Sequence, residues 1–302
     1  MKSLELTVEP SKKGGDIEID LASCIHVGHV CHEREATEKF FSDVYDTPDR
    51  YMASVGDNQD NGTKNSPGAS WAEQTHNPRE QLIVTAALYK PLVKRKKVLW
   101  MQESNHSNRI FKETGFITSE EALWRLLTGR GVTAADWDLI ERYFRGRIKG
   151  RDQEDAQTWI QSVLDGMQEP DADKAPLWGG WQCIVKLHVG KVDWMIHSMH
   201  GEGTGVAASS ALQAVMKQKD IAEGVDLYFR GHHHKRVLAD SAFMGWSGQG
   251  KETTQRRVGY VATGCMLGYH NSYGEAKGYA PLANGMARVT LSSSSKTFRL
   301  SM

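Results

Sequence analysis

The fold can be read outward from Tyr51-Met52-Ala53-Ser54-Val55-Gly56-Asp57-Asn58-Gln59-Asp60. Its first five residues read as a short strand, and a glycine with two carboxylates and two amides follows directly. Upstream, Asp16-Ile17-Glu18-Ile19-Asp20-Leu21 alternates polar and apolar residues as a half-buried strand does. It runs into Ser23-Cys24-Ile25-His26-Val27-Gly28-His29. Between the two, residues 33–44 carry Ala36, Phe40, Phe41 and Val44 at helical spacing. Downstream lies a loop rich in Asn, Gly, Ser and Thr up to Asn77. A helix over 79–93 leads into the basic run Lys94-Arg95-Lys96-Lys97, and a third strand, Val98-Leu99-Trp100-Met101, ends in Glu103-Ser104-Asn105-His106. Three strands thus deliver polar residues from their C-terminal ends, with helices between them. That is the layout of an α/β sheet with a site at one edge.

Composition narrows the function. Over 302 residues, 39% hydrophobic and 25% charged is an ordinary globular mixture, so wholesale disorder is excluded. Thirty-seven basic residues balance thirty-seven acidic ones, which removes any global field toward nucleic acid or a membrane but leaves room for a local basic groove. No apolar run approaches the ~20 residues of a membrane span, so no membrane partner is expected. The opening MKSLELTVEPSKKGG lacks the apolar core of a secretory signal. Four scattered cysteines without C-x-x-C spacing indicate neither a disulfide framework nor a zinc ribbon, and a cytoplasmic location is expected.

The remainder alternates again. Residues 119–176 read as a helical insertion or cap, or as further helices of the main fold. Ser119 is the expected N-cap; two later helices over 134–148 and 153–167 carry Trp137, Tyr143, Phe144 and Trp159, and Pro170 and Pro176 close the region. After Gly180 strands return at 181–189 and 192–196, the latter leading into His197-Ser198-Met199-His200-Gly201. A helix over 206–217 and a strand over 225–229 then precede Gly231-His232-His233-His234, and the last strands are expected at 288–291 and 297–300. An extended backbone at 232–234 would put His232 and His234 on one side and His233 on the other.

Collected in order, the strand-end residues are Cys24-x-His26, Gly56-Asp57-x-x-Asp60, Ser104-Asn105-His106, His200-Gly201 and Gly231-His232-x-His234. These are side chains that ligate hard or borderline metals. The series resembles the calcineurin-like metallophosphoesterase superfamily, whose motifs read D-x-H, G-D-x-x-D, G-N-H, a histidine after a strand, and G-H-x-H. The tail Ser272-Tyr273-Gly274-Glu275-Ala276-Lys277-Gly278-Tyr279 is similar to that of small phosphoesterases of phage-like genomes. The resemblance implies one domain over 1–302, a four-layer α-β-β-α sandwich with the 119–176 insertion within it. It also implies two divalent ions, manganese first, with zinc, iron and nickel as alternatives. On that pattern Asp57 bridges both ions. Cys24, His26 and His234 complete one site, and Asn105, His200 and His232 the other, His200 being preferred to His197 because Gly201 leaves room beside it. His106 is the acid or phosphate-contacting residue, and His29 and Arg109 join it on the substrate side. The implied reaction is phosphodiester hydrolysis by a hydroxide held between the two ions.

Two positions depart from the pattern. Ser104 stands where the family has glycine, and Cys24 where it has aspartate. A thiolate prefers zinc or iron to manganese or magnesium. Cys24 is therefore a thiolate ligand, a neutral buried thiol that leaves one site weak, or the mark of a catalytically impaired fold that binds nucleic acid or a protein. A mononuclear zinc hydrolase using His200 and His232 leaves Asp57 and His26 unexplained. The phosphoprotein-phosphatase extensions G-D-x-x-D-R-G and G-N-H-E are missing, while His26-Val27-Gly28-His29 looks like the first motif of phosphodiesterases and repair exonucleases. A phosphodiester in DNA, RNA or a nucleotide is the expected substrate. The basic run 94–97 and Arg142, Arg145, Arg147 and Arg151 are either phosphate contacts or a solvated helix face.

Overall fold

The computed structural model describes residues 1–64, 66, 73–115, 117–129, 174–203, 207–246, 253–270, 275, 277–278, 280–281 and 284–302. The helices expected over 134–148 and 153–167, with their aromatic and arginine residues, lie outside that set. The described chain is α/β, with two mixed six-stranded sheets and five α-helices. The first sheet contains β2 (Asp16–Ala22), β3 (Arg50–Ser54), β4 (Val98–Gln102), β5 (Leu177–Gly180), β11 (Ala287–Ser292) and β12 (Phe298–Ser301), in the order β12-β11-β2-β3-β4-β5. The second contains β1 (Lys2–Val8), β6 (Gln182–Val189), β7 (Val192–Met199), β8 (Leu227–Arg230), β9 (Val237–Trp246) and β10 (Thr253–Ala262), in the order β1-β6-β7-β8-β10-β9.

Strands β2, β3 and β4 are parallel neighbours, as are β7 and β8. Each parallel block therefore exposes its C-terminal ends together. One apolar core draws on both sheets: Ile17, Ile19, Leu21 and Trp100 from the first meet Val185, Trp194, Ile196 and Phe229 from the second. Trp100 stacks on Phe229 with ring centroids 6.3 Å apart. Fully burying an apolar side chain of this kind contributes roughly 1.5–3 kcal/mol, so this seam fixes how the two sheets meet.

The outer face of the first sheet is covered by α1 (Arg34–Asp46), α2 (Pro78–Lys94) and α4 (Ser119–Leu127), through Phe41, Val44, Tyr89, Leu92 and Leu123. Helix α2 starts at a capping box in which the Asn77 side chain accepts from the Arg79 and Glu80 amides. Helix α4 is capped by Thr118, which accepts from Glu121 N, and not by Ser119 as the sequence suggested. A further helix, α3 (Ser107–Thr114), follows β4. On the second sheet, α5 (Ala208–Met216) packs Val215 against Tyr228, Val258 and Tyr260. No helix among the described residues is long and apolar enough to cross a membrane.

Candidate metal centre

The ends of β2 and β3 continue to pair beyond the sheet. Cys24 N donates to Gly56 O, Ile25 N and His26 N to Asp57 O, and Val27 N to Asn58 O. Cys24, His26 and Asp57 have φ of 52°, 53° and 55°, and His232 and His234 have φ of 70° and 56°. Left-handed backbone at five such residues costs on the order of 1–3 kcal/mol each and is found where the surroundings enforce it. It also corrects the sequence expectation for 232–234, since the two rings converge from left-handed turns and not from an extended strand.

Gly56 and Gly231 allow the motifs to close on one another. A Cβ on Gly56 would lie 2.6 Å from Ser104 Cβ, and one on Gly231 would lie 2.3 Å from Ser23 Oγ and 2.7 Å from His200 Nδ1. Ser104 makes a contact of its own, since its hydroxyl accepts from Ser107 N at the start of α3. Gly201, expected to make room for a ligand, instead lies under the Arg230 guanidinium, whose Cζ would sit 2.4 Å from an added Cβ.

The side chains gather around Asp57, which is 1% exposed. Its Oδ2 lies 3.0 Å from His200 Nε2 and 3.9 Å from both His26 Nε2 and His106 Nε2. Three groups are placed to hold a metal ion, each with ligand atoms mutually within 4.8 Å: Cys24, His26 and His234; Cys24, Asp57 and His200; and His26, Asp60 and His106. His232 joins from the other side, with Nδ1 3.1 Å from Asn105 Oδ1. His197 does not join; its Nδ1 bonds Gln218 in the core. His29 is also elsewhere, accepting from Cys31 N and lying 3.8 Å from Glu73.

Hydrogen bonds behind the rings decide which nitrogens face inward. His26 Nδ1 is 3.0 Å from Asp60 Oδ1 and His200 Nδ1 is 2.7 Å from Val55 O, so both rings carry their proton on Nδ1 and leave Nε2 as a lone pair. His232 uses Nε2 to donate to Gly203 O at 2.7 Å, so its Nδ1 lone pair faces Asn105 Oδ1. His106 donates from Nδ1 to Asp60 O, and its Nε2 accepts from Arg109 Nη2 at 2.9 Å.

Protonation agrees. Burial lowers His26 to about 4, lowers His232, and holds His234 well below the ordinary imidazole value. Burial also opposes ionisation of Asp57 and Asp60, but the surrounding imidazoles overcome it and keep both carboxyls below the usual range. Burial, then Asp57, pushes the Cys24 thiol well up, against hydrogen bonds from Ser23 and the His232 backbone.

These residues fit a metal. Asp57 Oδ2 and His200 Nε2 are buried without a hydrogen bond of good geometry although only 3.0 Å apart. Inward lone pairs beside two anionic carboxylates form a pocket that a cation relieves. Behind them Glu120 accepts from Asn58 N and Nδ2, Tyr89 donates to Asn58 Oδ1, and Glu103 accepts from Thr118 and Ser107. Sequence reasoning assigned no role to this support or to Asp60. The G-D-x-x-D spacing was the available signal for Asp60, whereas Glu120 lies 62 positions from Asn58.

No known protein-family profile matches this chain, and no curated protein matches it.

Proposed function

We propose that this chain is a metal-dependent phosphodiesterase of the calcineurin-like metallophosphoesterase kind, acting on nucleic acid or a nucleotide. Its two sheets with helices outside each then form the four-layer sandwich of that superfamily. The observation that carries the reading is the buried Asp57 carboxylate ringed by the inward nitrogens of His26, His106 and His200.

In this reading His26, His234 and Cys24 hold one divalent ion, His200, His232 and Asn105 hold a second, and Asp57 serves both. When bound, the two ions polarise the phosphoryl oxygens and lower the pKa of water. The residues of the chain do the rest. Asp60 fixes the His26 and His106 tautomers. Arg109 pins His106 through Nε2, so His106 donates a proton to a leaving oxygen only after that contact opens and Nε2 has taken up a proton from solvent. Cys24 would hold its ion as a thiolate, the form a coordinating thiol takes beside a cation, and would bias that site toward zinc or iron and away from manganese.

Hydrolysis of bis-p-nitrophenyl phosphate tests the reading, with manganese, zinc, nickel or iron added and His106→Ala as the control. Turnover that falls by roughly 10²–10⁴ in the variant supports the enzyme. The raised Cys24 thiol favours one competing reading, a binding protein with a weakened first site. Absence of turnover with all four metals selects it.

A further inference from the structure

Beside the metal centre is a cleft of about 330 Å³ lined by Glu202, Gly203, Ser210, Lys217, Arg230 and His233, among others. Arg230 is only 8% exposed, and its Nε is buried without a hydrogen-bond partner among the described residues. Its other contacts are with neutral groups: Nη2 donates to Glu202 O at 2.7 Å and Nη1 lies 3.6 Å from Met199 Sδ. No carboxylate among the described residues forms an ion pair with it. A buried guanidinium without a counter-charge is costly unless an anion completes it. The cleft adjoins the metal centre, because its Gly203 carbonyl accepts from His232 Nε2. Lys217, exposed at the rim, adds a second positive charge, and the exposed Glu202 carboxylate opposes it.

We propose that the Arg230 cleft is an oxyanion subsite that takes a second phosphate of the substrate, next to the phosphate at the metal centre. The planar guanidinium lies against Gly201 and lines the cleft, so a phosphate bound there would supply the counter-charge that the protein itself does not. This assignment rests on the phosphodiesterase reading for the identity of the ligand, but the anion site stands on Arg230 alone. It selects polyphosphorylated substrates, such as an oligonucleotide or a nucleotide with a terminal phosphate, over a simple diester.

Two measurements test it. In the chelator-treated full-length chain, 10 mM inorganic phosphate is expected to raise Tm by about 3 °C, with the rise lost in Arg230→Met and reduced in Lys217→Ala, a surface change. Arg230→Met is itself expected to melt no lower than the parent, because it removes an uncompensated charge. An equal phosphate shift in parent and Arg230→Met, or none in the parent, overturns the subsite whether or not the protein hydrolyses diesters. With the metal-loaded protein, Arg230→Met is expected to raise KM for a 5′-phosphorylated dinucleotide roughly tenfold more than KM for bis-p-nitrophenyl phosphate. Equal changes for both substrates overturn the substrate assignment while leaving the diesterase reading intact.

Discussion

On the proposed two-ion reading, replacing Asp60 by asparagine should cost the site that includes His26 its metal affinity, and the hydrogen-bond polarity around the carboxylate says how. Asn61 N donates to Gln81 Oε1, so Gln81 Nε2 points to Gln74 Oε1, and Gln74 Nε2 must then donate to Asp60 Oδ2. The opposite oxygen, Oδ1, lies 3.0 Å from His26 Nδ1 and 3.2 Å from His106 Nδ1. An aspartate accepts on both sides; an asparagine cannot. With its oxygen toward Gln74, its amide drives the imidazole proton of His26 onto Nε2, the nitrogen that faces the cluster. With its oxygen toward the imidazoles, its amide opposes the Gln74 amide. Loss of such an outer carboxylate typically weakens metal binding 10–100-fold, about 1.4–2.7 kcal/mol. Competition against a chromophoric chelator should show this loss for one ion and a smaller change for the other, and ¹⁵N spectra should report the tautomer change at His26. A correctly folded Asp60→Asn chain that binds both ions within twofold of the parent would refute the reasoning.

Other consequences are equally direct. Cys24→Asp should raise manganese-dependent turnover of bis-p-nitrophenyl phosphate; unchanged rate and metal content would count against ligation at position 24. Gly56→Ala meets Ser104 Cβ at 2.6 Å and Glu103 O at 2.8 Å with φ at 83°, so urea denaturation should show a loss of about 2–4 kcal/mol, only partly restored by adding Ser104→Gly. Burial raises Glu120 from 4.5 to about 8 in the metal-free fold. The folded chain then holds a proton the unfolded chain has lost, so stability should fall as pH rises from about 4.5 to about 8; Glu120→Gln should flatten that slope in denaturation curves measured across the range.

Much of this architecture is legible in the order of residues because parallel strands expose their C-terminal ends, and a polar run after an apolar one marks such an end. The residues at 24, 26, 57, 105, 106, 200, 232 and 234 announce themselves that way. Other parts do not. Strand β1 carries Leu4, Leu6 and Val8 at period two, a short signal masked by the charged residues between and after them. Strand β5 is only Leu177-Trp178-Gly179-Gly180, too short to show a period. Helix α3 has few apolar residues, and its N-cap residue His106 makes no side-chain cap bond; the Ser104 hydroxyl that accepts from Ser107 N does so through a turn that sequence does not reveal. Long-range partnerships such as Asn58 with Glu120, or His200 with Val55, are properties of the folded chain alone.

The left-handed turns at Cys24, His26, His232 and His234 bear on how this protein tolerates change. Glycine at any of these positions would ease the main chain and at the same stroke delete a donor atom. A laboratory search for heat resistance alone would therefore tend to erode the cluster first, because the tension that makes those loops replaceable is what holds them ready for a cation.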